Sequence, residues 1–402
     1  MSRSVSERQR ELARLLETQR IPFWHDPSKR ALIYQALALG LVFVLGYYLF
    51  AITQANLRRQ SIATGFSFIE REAGFEIGEP LISYSSADTY ARALLVGVLN
   101  TLKVSLTGMI LTLILGTLVG IARLSSNWLL SRLAGAYIEV LQNIPVLLQL
   151  YFWYSVFHDS LPGPRQSLNP VPGFFLNNRG FYFPLPLAHP AYLRMGIALV
   201  VAGLLISTLH RWARRRQDQT GQIFPIWSVG SGLVIGLPAL AWLLSGAPTD
   251  MDVPRLTGFN FEGGLSVSPE FAALLLGLVL YTSAFVAEVV RAGIQAISRG
   301  QTEAALSVGL KPSQVLTLII LPQALRVIIP PLTSQMLNLT KNSSLAVAIG
   351  YPDLVSVANT TINQTGQAIE GVAIIMVVYL WFSLGTSAFM NWYNKRMALV
   401  ER

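Results

Sequence analysis

Residues 298–322 read Ser298-Arg-Gly-Gln-Thr-Glu303-Ala-Ala-Leu-Ser-Val-Gly309-Leu-Lys-Pro312-Ser-Gln-Val-Leu-Thr-Leu-Ile-Ile-Leu-Pro322. The stretch interrupts two long apolar runs. Local rules predict two short helices within it. Ser298 and Gln301 have capping-box spacing, and Glu303 suits the positive end of a helix. Gly309 fits the left-handed turn that ends the first helix, and Pro312 fits the first turn of the next. Pro322 then restarts the chain into the following apolar run. An amphipathic helix-turn-helix at a membrane surface suits docking into another protein's groove. An interfacial hairpin with no partner has the same pattern.

The composition around this stretch is that of a membrane protein. The 402 residues include no cysteine, four histidines, 52% apolar and 13% charged side chains, and mean hydropathy is +0.48. Ordinary soluble domains carry about 25% charged residues, which argues against a soluble enzyme. Without cysteine there is no disulfide framework and no cysteine metal site. His25, His158, His189 and His210 share no metal-ligand spacing. Eight stretches are long and apolar enough to cross a bilayer: 31–52, 93–122, 133–157, 191–210, 224–245, 270–292, 325–349 and 368–391. The first is expected to be a retained anchor rather than a cleaved signal, because its apolar run is long and a basic segment precedes it.

Positive charge orients these spans. With the N-terminus inside, the cytoplasmic segments hold 20 of the 30 Lys and Arg residues and the outside segments hold 7. That asymmetry places both termini in the cytoplasm. The net charge of +9 is therefore read as an orientation signal and not as a nucleic-acid footprint. Residues 158–190 hold seven prolines and are expected to form an ordered, irregular cover. Residues 53–92 are expected to form short interfacial helices. No segment outside the membrane is long enough for a catalytic or ATP-binding domain.

A resemblance to a family enters through the loop. Glu303-Ala304-Ala305, then Gly309, Ile319 and Leu321-Pro322, match the EAA loop of ABC importer permeases at every defining position. In that family the loop forms coupling helices seated in a cleft of the ATPase subunit. The resemblance implies that Thr302, Glu303, Ala304, Ala305, Gly309, Leu310, Ile319, Leu321 and Pro322 make the coupling surface. Other segments resemble the polar amino-acid branch: Asn100-Thr101-Leu102 with Ser105, Ile144-Pro145 through Gln149, Glu288 to Gly293 with Gly300-Gln301, Pro330-Pro331, and Lys341 to Leu345. Where the family often has Arg-Gly-Thr-Pro, this chain has Gln142-Asn143-Ile144-Pro145, so no charge role is carried over there.

The resemblance implies an all-α membrane protein with a type I ABC importer permease core of five helices, plus an N-terminal helix and an inserted helix pair. The expected layout is a basic tail (1–30), an extra span with a periplasmic segment (31–92), the first part of the core (93–157), an insertion with two spans (158–269), the second part of the core (270–392) and a cytoplasmic tail (393–402). This enlarged layout resembles the permeases of general L-amino-acid importers, including those for glutamate, glutamine, aspartate and asparagine. It implies a bacterial inner-membrane location and three partners: an ABC ATPase dimer, a paralogous second permease and a periplasmic amino-acid-binding protein. The chain lacks Gly-x-x-x-x-Gly-Lys-[Ser/Thr], so ATP and Mg are expected on the ATPase and no cofactor on this chain.

Polar residues inside spans are the candidate substrate path: Asn100, Thr101, Gln142, Asn143, Gln149, Lys341, Asn342 and Ser343. Each also has a packing interpretation. Lys103 and Lys341 can snorkel or pair locally. Glu139, Gln142 and Gln149 fall near one face of a helix kinked at Pro145 and can bond neighbouring helices. Glu288 and Arg291, three apart, are expected to brace the loop as a pair. Gly116-x-x-x-Gly120 and Gly232-x-x-x-Gly236 permit close helix approach, although such pairs arise often by chance. Two other classes compete. An autonomous secondary amino-acid transporter or channel would show matching inverted halves, and none is visible. A membrane enzyme would need a catalytic constellation, and none is visible.

Overall fold

A computed structural model describes residues 27–59 and 64–397. Most of the basic tail, His25 and the last five residues of the C-terminal tail lie outside the described residues. The chain divides into two compact units, Met1–Phe68 with Thr361–Gly371, and Ile69–Thr360 with Val372–Arg402.

In the first unit, helix α1 (Pro27–Arg59) carries an apolar window with none of its residues buried. A single 3-10 turn, Phe66–Glu70, follows. Among the described residues of 53–92 it is the only helical part beyond the two flanking helices, where a series of interfacial helices was expected. Gly65 N–H donates to the Glu370 carboxylate at 2.6 Å.

The second unit is organised around two helices, α2 (Tyr90–Arg123) and α7 (Pro269–Gln295), which form the most extensive helix pair among the described residues. Thr89 and Ser268 cap their N-termini by accepting the Arg92 and Phe271 N–H groups. Glycine makes the close pairing possible. A Cβ on Gly116 would lie 2.9 Å from the Ser283 carbonyl oxygen, and one on Gly120 2.7 Å from that of Ala287.

The expected span 133–157 is two helices, α3 (Trp128–Asn143) and α4 (Val146–Asp159), bent by 104°. Pro145 lacks the N–H that would continue the ladder, and Ile144 before it is extended at φ −98°, ψ 124°. Among the described residues seven helices are long and apolar enough to span, or eight if this bent pair counts as one. The break also overturns the shared face of Gln142 and Gln149, which stand on different helices. Both α3 and α4 pack on α7.

The insertion is not irregular. Short strands before and after its helix pair join in three small antiparallel sheets: β1 (Phe175–Asn177) and β2 (Gly180–Phe183) with β7 (Leu265–Val267), β3 (Leu185–Pro186) with β4 (Met251–Asp252), and β5 (Arg255–Thr257) with β6 (Asn260–Glu262). Between them run α5 (Pro190–Thr220) and α6 (Ile226–Leu244), which pack on each other. Helix α5 continues to Thr220, nearly three turns past the expected boundary at 210, because arginines favour a helix as well as apolar residues do. It ends at Gly221, held at φ 69°.

After α7 come α8 (Arg299–Ser307), a helical turn at Pro312–Gln314, a π-helical segment Val315–Ile320 and α9 (Leu321–Asn342), followed by a 3-10 stretch Ser343–Ile349. Helix α9 packs on α7. Helices α10 (Leu354–Thr365) and α11 (Ala368–Met397) complete the chain.

Candidate functional site

The loop after α7 folds largely as its sequence dictates. Gly309 takes φ 84°, and the first helix closes with a pair of bonds: Leu310 N–H to the Ala305 carbonyl at 3.2 Å and Gly309 N–H to that of Leu306 at 3.0 Å. This is the Schellman arrangement, which only a residue tolerant of positive φ completes without strain. Two details differ from expectation. The Ser298 hydroxyl makes no cap bond. The reciprocal side-chain bond occurs at the second turn, where the Gln314 amide oxygen accepts the Lys311 N–H at 2.9 Å. Pro322 restarts nothing either, since the π segment runs directly into α9 with Pro322 in its first turn. A π segment is rare and frequent at functional sites.

Burial within the loop is divided. Ala305 and Val315 are buried, and α8 packs on the π segment. Leu306, Val308, Leu316, Leu318 and Leu321 are exposed, Val308 at 77%. Glu303 and Ala304 are exposed, Thr302, Leu310, Ile319 and Pro322 half-buried. The loop therefore holds its own shape with two small side chains and turns a ridge of aliphatic residues outward. Above it, Arg291 donates to the Glu288 carboxylate with Nε at 2.9 Å and to Gln295 with Nη1 at 2.7 Å. Glu288 and Arg291 thus pair along one helix.

The polar residues of the spans separate into two groups. The first is spent inside the chain. Asn100 is buried and its amide donates to the Glu79 and Pro352 carbonyls, both at 2.9 Å. The Thr101 hydroxyl accepts the Leu354 N–H at 3.1 Å. Gln149 is buried and donates to the Leu141 and Ile144 carbonyls, both at 2.9 Å, bridging the α3–α4 bend. Gln142 donates to the Ala284 carbonyl at 3.2 Å and Asn143 to that of Glu139 at 2.6 Å. Ser343 is buried and donates to the Thr340 carbonyl. Lys103 lies 3.6 Å from a Glu79 carboxylate oxygen and 4.1 Å from the centre of the Phe271 ring. Local pairing, not an open charge, describes Lys103. Lys341 is exposed in the last turn of α9.

The second group lines a cavity of about 260 Å³ between α7 and α9. Its walls are Tyr281, Thr282 and Phe285 from α7, and Gln335, Asn338 and Asn342 from α9. The Thr282 hydroxyl is buried and has no hydrogen-bond partner among the described residues. Of the expected path residues, only Asn342 lines this cavity. Gln335 and Asn338 were not singled out by sequence reasoning, although the successive spacings of three and four from Gln335 through Asn338 to Asn342 place all three on one helical face. Asp353 was missed as well. It is buried, its carboxylate accepts the Ser356 N–H at 2.9 Å and the Tyr379 hydroxyl at 3.3 Å, and burial pushes its carboxyl up to about 7. Among the described residues no cluster of metal-ligating side chains exists; His189 accepts the Ala191 N–H as a helix cap and His158 lies 2.9 Å from Asp159.

Long apolar helices, an outward-turned helical loop and a polar cavity between α7 and α9 fit the class of membrane transport proteins. A family model for the binding-protein-dependent transport system inner membrane component matches residues 221–399. The chain is 50% identical over 378 residues to the general L-amino acid transport system permease protein AapQ of Rhizobium johnstonii, covering 94% of each. It is 51% identical over 378 residues to the putative amino-acid ABC transporter permease protein YhdX of Escherichia coli, covering 94% of this chain and 96% of the other. It is 40% identical over 411 residues to the glutamate/glutamine/aspartate/asparagine transport system permease protein BztB of Rhodobacter capsulatus, covering 94% and 96%. The chain belongs to the family of amino-acid ABC transporter permeases.

Proposed function

We propose that this permease imports L-amino acids across the inner membrane by alternating access, driven by a separate ATPase that grips the 299–321 loop. The observation that carries the proposal is the loop's outward aliphatic ridge. A rigid helical turn with Val308 at 77% exposure presents a surface that water alone would not favour. ATP and Mg belong to that ATPase, whose closure would push α8 and, through the continuous π segment, lever α9 against α7. The cavity between α7 and α9 opens or closes with that movement. Its amide and hydroxyl lining suits the zwitterionic head that all L-amino acids share. That fits a broad range of the kind named for AapQ, with acidic and amide substrates, named for BztB, within it.

The excess of Lys and Arg supports a topology with both termini in the cytoplasm and the small β-sheets outside, where an amino-acid-binding protein would dock. A paralogous second permease would complete the cavity from its other side. The test is Glu303→Lys in proteoliposomes with the co-purified ATPase. Membrane insertion is expected to be unchanged, ATP hydrolysis to persist and uptake to be lost. Normal coupled uptake would overturn the role of the loop, and ion-driven uptake by the chain alone would favour a secondary transporter.

A further inference from the structure

The inserted hairpin brings an apolar cleft next to a cluster of arginines. At its basic end, α5 and α6 leave an apolar cleft of about 440 Å³, lined by Ile206 and His210 on one side and by Trp227, Gly230 and Val234 on the other. Gly230 leaves room for no more than a Cβ against α5, since a Cβ there would reach van der Waals contact with Ile206 at 3.8 Å, so a larger side chain would intrude on the cleft. Trp227, at 89% exposure, stands at the mouth. Interfacial Trp is where a membrane protein meets lipid head groups.

Directly beyond the cleft, α5 carries Arg211, Arg214, Arg215 and Arg216. Arg214 follows Ile206 and His210 at intervals of four, so it continues the stripe that lines the cleft. Arg216 is occupied: it donates to the Gln222 amide oxygen at 2.8 Å and lies 5.4 Å from the Trp212 ring. Trp212 in turn packs edge-on against Phe224 at 5.4 Å and fixes the turn between the helices. Arg211, Arg214 and Arg215 have no hydrogen-bond or ion-pair partner among the described residues. Asp218, one turn further on, is exposed and forms no ion pair with them.

Three unneutralised cations next to an apolar slot at a membrane interface match one chemistry. A soluble anion would leave the slot empty, and a zwitterionic lipid would leave the arginines without net counter-charge. We infer that the basic end of the α5–α6 hairpin holds one anionic phospholipid, its phosphate against Arg214 and Arg215 and an acyl chain in the Ile206–Trp227 cleft. Such a lipid supplies the contact that the hairpin lacks, since only 6% of the apolar window of either helix is buried.

The experiment is native mass spectrometry of the full chain, released from micelles titrated with phosphatidylglycerol or with phosphatidylcholine. A one-to-one phosphatidylglycerol adduct is expected, preferred over phosphatidylcholine by at least about ten-fold. The double variant Arg214→Gln/Arg215→Gln removes two surface cations and is expected to weaken the adduct by about 30-fold. Gly230→Leu fills the slot and should displace the chain with all arginines intact. The second occupant to exclude is another permease subunit, so a photoreactive residue at position 227 is cross-linked in vesicles of phosphatidylglycerol and phosphatidylcholine. Label on phosphatidylglycerol supports the site. Equal binding of the two lipids, wild-type binding by both variants, or label on protein instead of lipid overturns it.

Discussion

The chain carries the spacing Gly-x-x-x-Gly twice, and the two copies do opposite things. Gly116 and Gly120 on α2 lie against α7 so closely that a Cβ on either would strike backbone. Gly232 and Gly236 on α6 have nothing within 4 Å of where a Cβ would stand. Hydrophobicity does not separate the helices that carry them, since α2 and α6 are both strongly apolar. Burial does: 33% of the apolar window of α2 is buried, against 6% for α6. The motif is a permission for close approach and not a contact, so only the neighbour decides whether it is used. The largest expected effect follows. Gly120→Leu forces α2 off α7 and should destabilise the folded permease by about 3 kcal/mol or more. Gly236→Leu should leave the thermal midpoint in micelles unchanged. Equal losses for the two would mean that α6 has a tight partner inside the folded chain, and the contrast would collapse.

A smaller effect sharpens the same contrast with polar side chains. Gln149 on α4 is buried and reaches back to two carbonyls freed by the break at Pro145. Replacing it with Leu leaves those carbonyls unmet and should cost about 2 kcal/mol, read as a lowered thermal midpoint. Thr208 on α5 returns its hydroxyl only to the Leu205 carbonyl in its own helix, so Thr208→Val should cost next to nothing. A silent Gln149→Leu would show that the bend is held by Pro145 alone.

The same division governs what the sequence made legible. Local chemistry was readable: the positive-φ Gly309, Pro312 in a first turn, the apolar runs and the i,i+3 pair of Glu288 and Arg291 all take the forms their spacing dictates. Long-range geometry was not. Pro145 announced a kink, but a bend of 104° depends on what α3 and α4 pack against, and both meet α7. The short strands of the insertion pair across the α5–α6 hairpin, from Tyr182 to Ser266, so no local window held both partners. Asn100 and Thr101 looked like path residues because they are polar within a span. Their partners, Pro352 and Leu354, lie some 250 positions away. Gln335 and Asn338 went unnoticed for the converse reason: amides are unremarkable until a facing helix leaves a cavity beside them.

Asp353 offers the finest test of where the core ends. The Gly350–Leu354 turn is clasped to α2 by the Asn100 amide and the Thr101 hydroxyl, and Gly97 lets the turn approach so that a Cβ would lie 2.9 Å from Leu354 Cα. Inside the clasp Asp353 caps α10 through Ser356 and accepts from Tyr379; Tyr351, also buried, is the other titratable group of the turn. Burial raises the Asp353 carboxyl from 3.8 to about 7. The sign follows from linkage. Between those values the folded chain keeps a proton that the unfolded chain releases, so raising the pH costs stability, by at most about 1.4 kcal/mol per unit, and above about 7 the cost stops growing. Asp353→Asn keeps an acceptor for Ser356 but cannot ionise. The wild-type thermal midpoint, measured relative to Asp353→Asn in micelles, is therefore expected to fall as pH rises from 5 towards 7 and to level off beyond. A difference that stays constant across that range would mean that water reaches Asp353 and that the clasp lies outside the core.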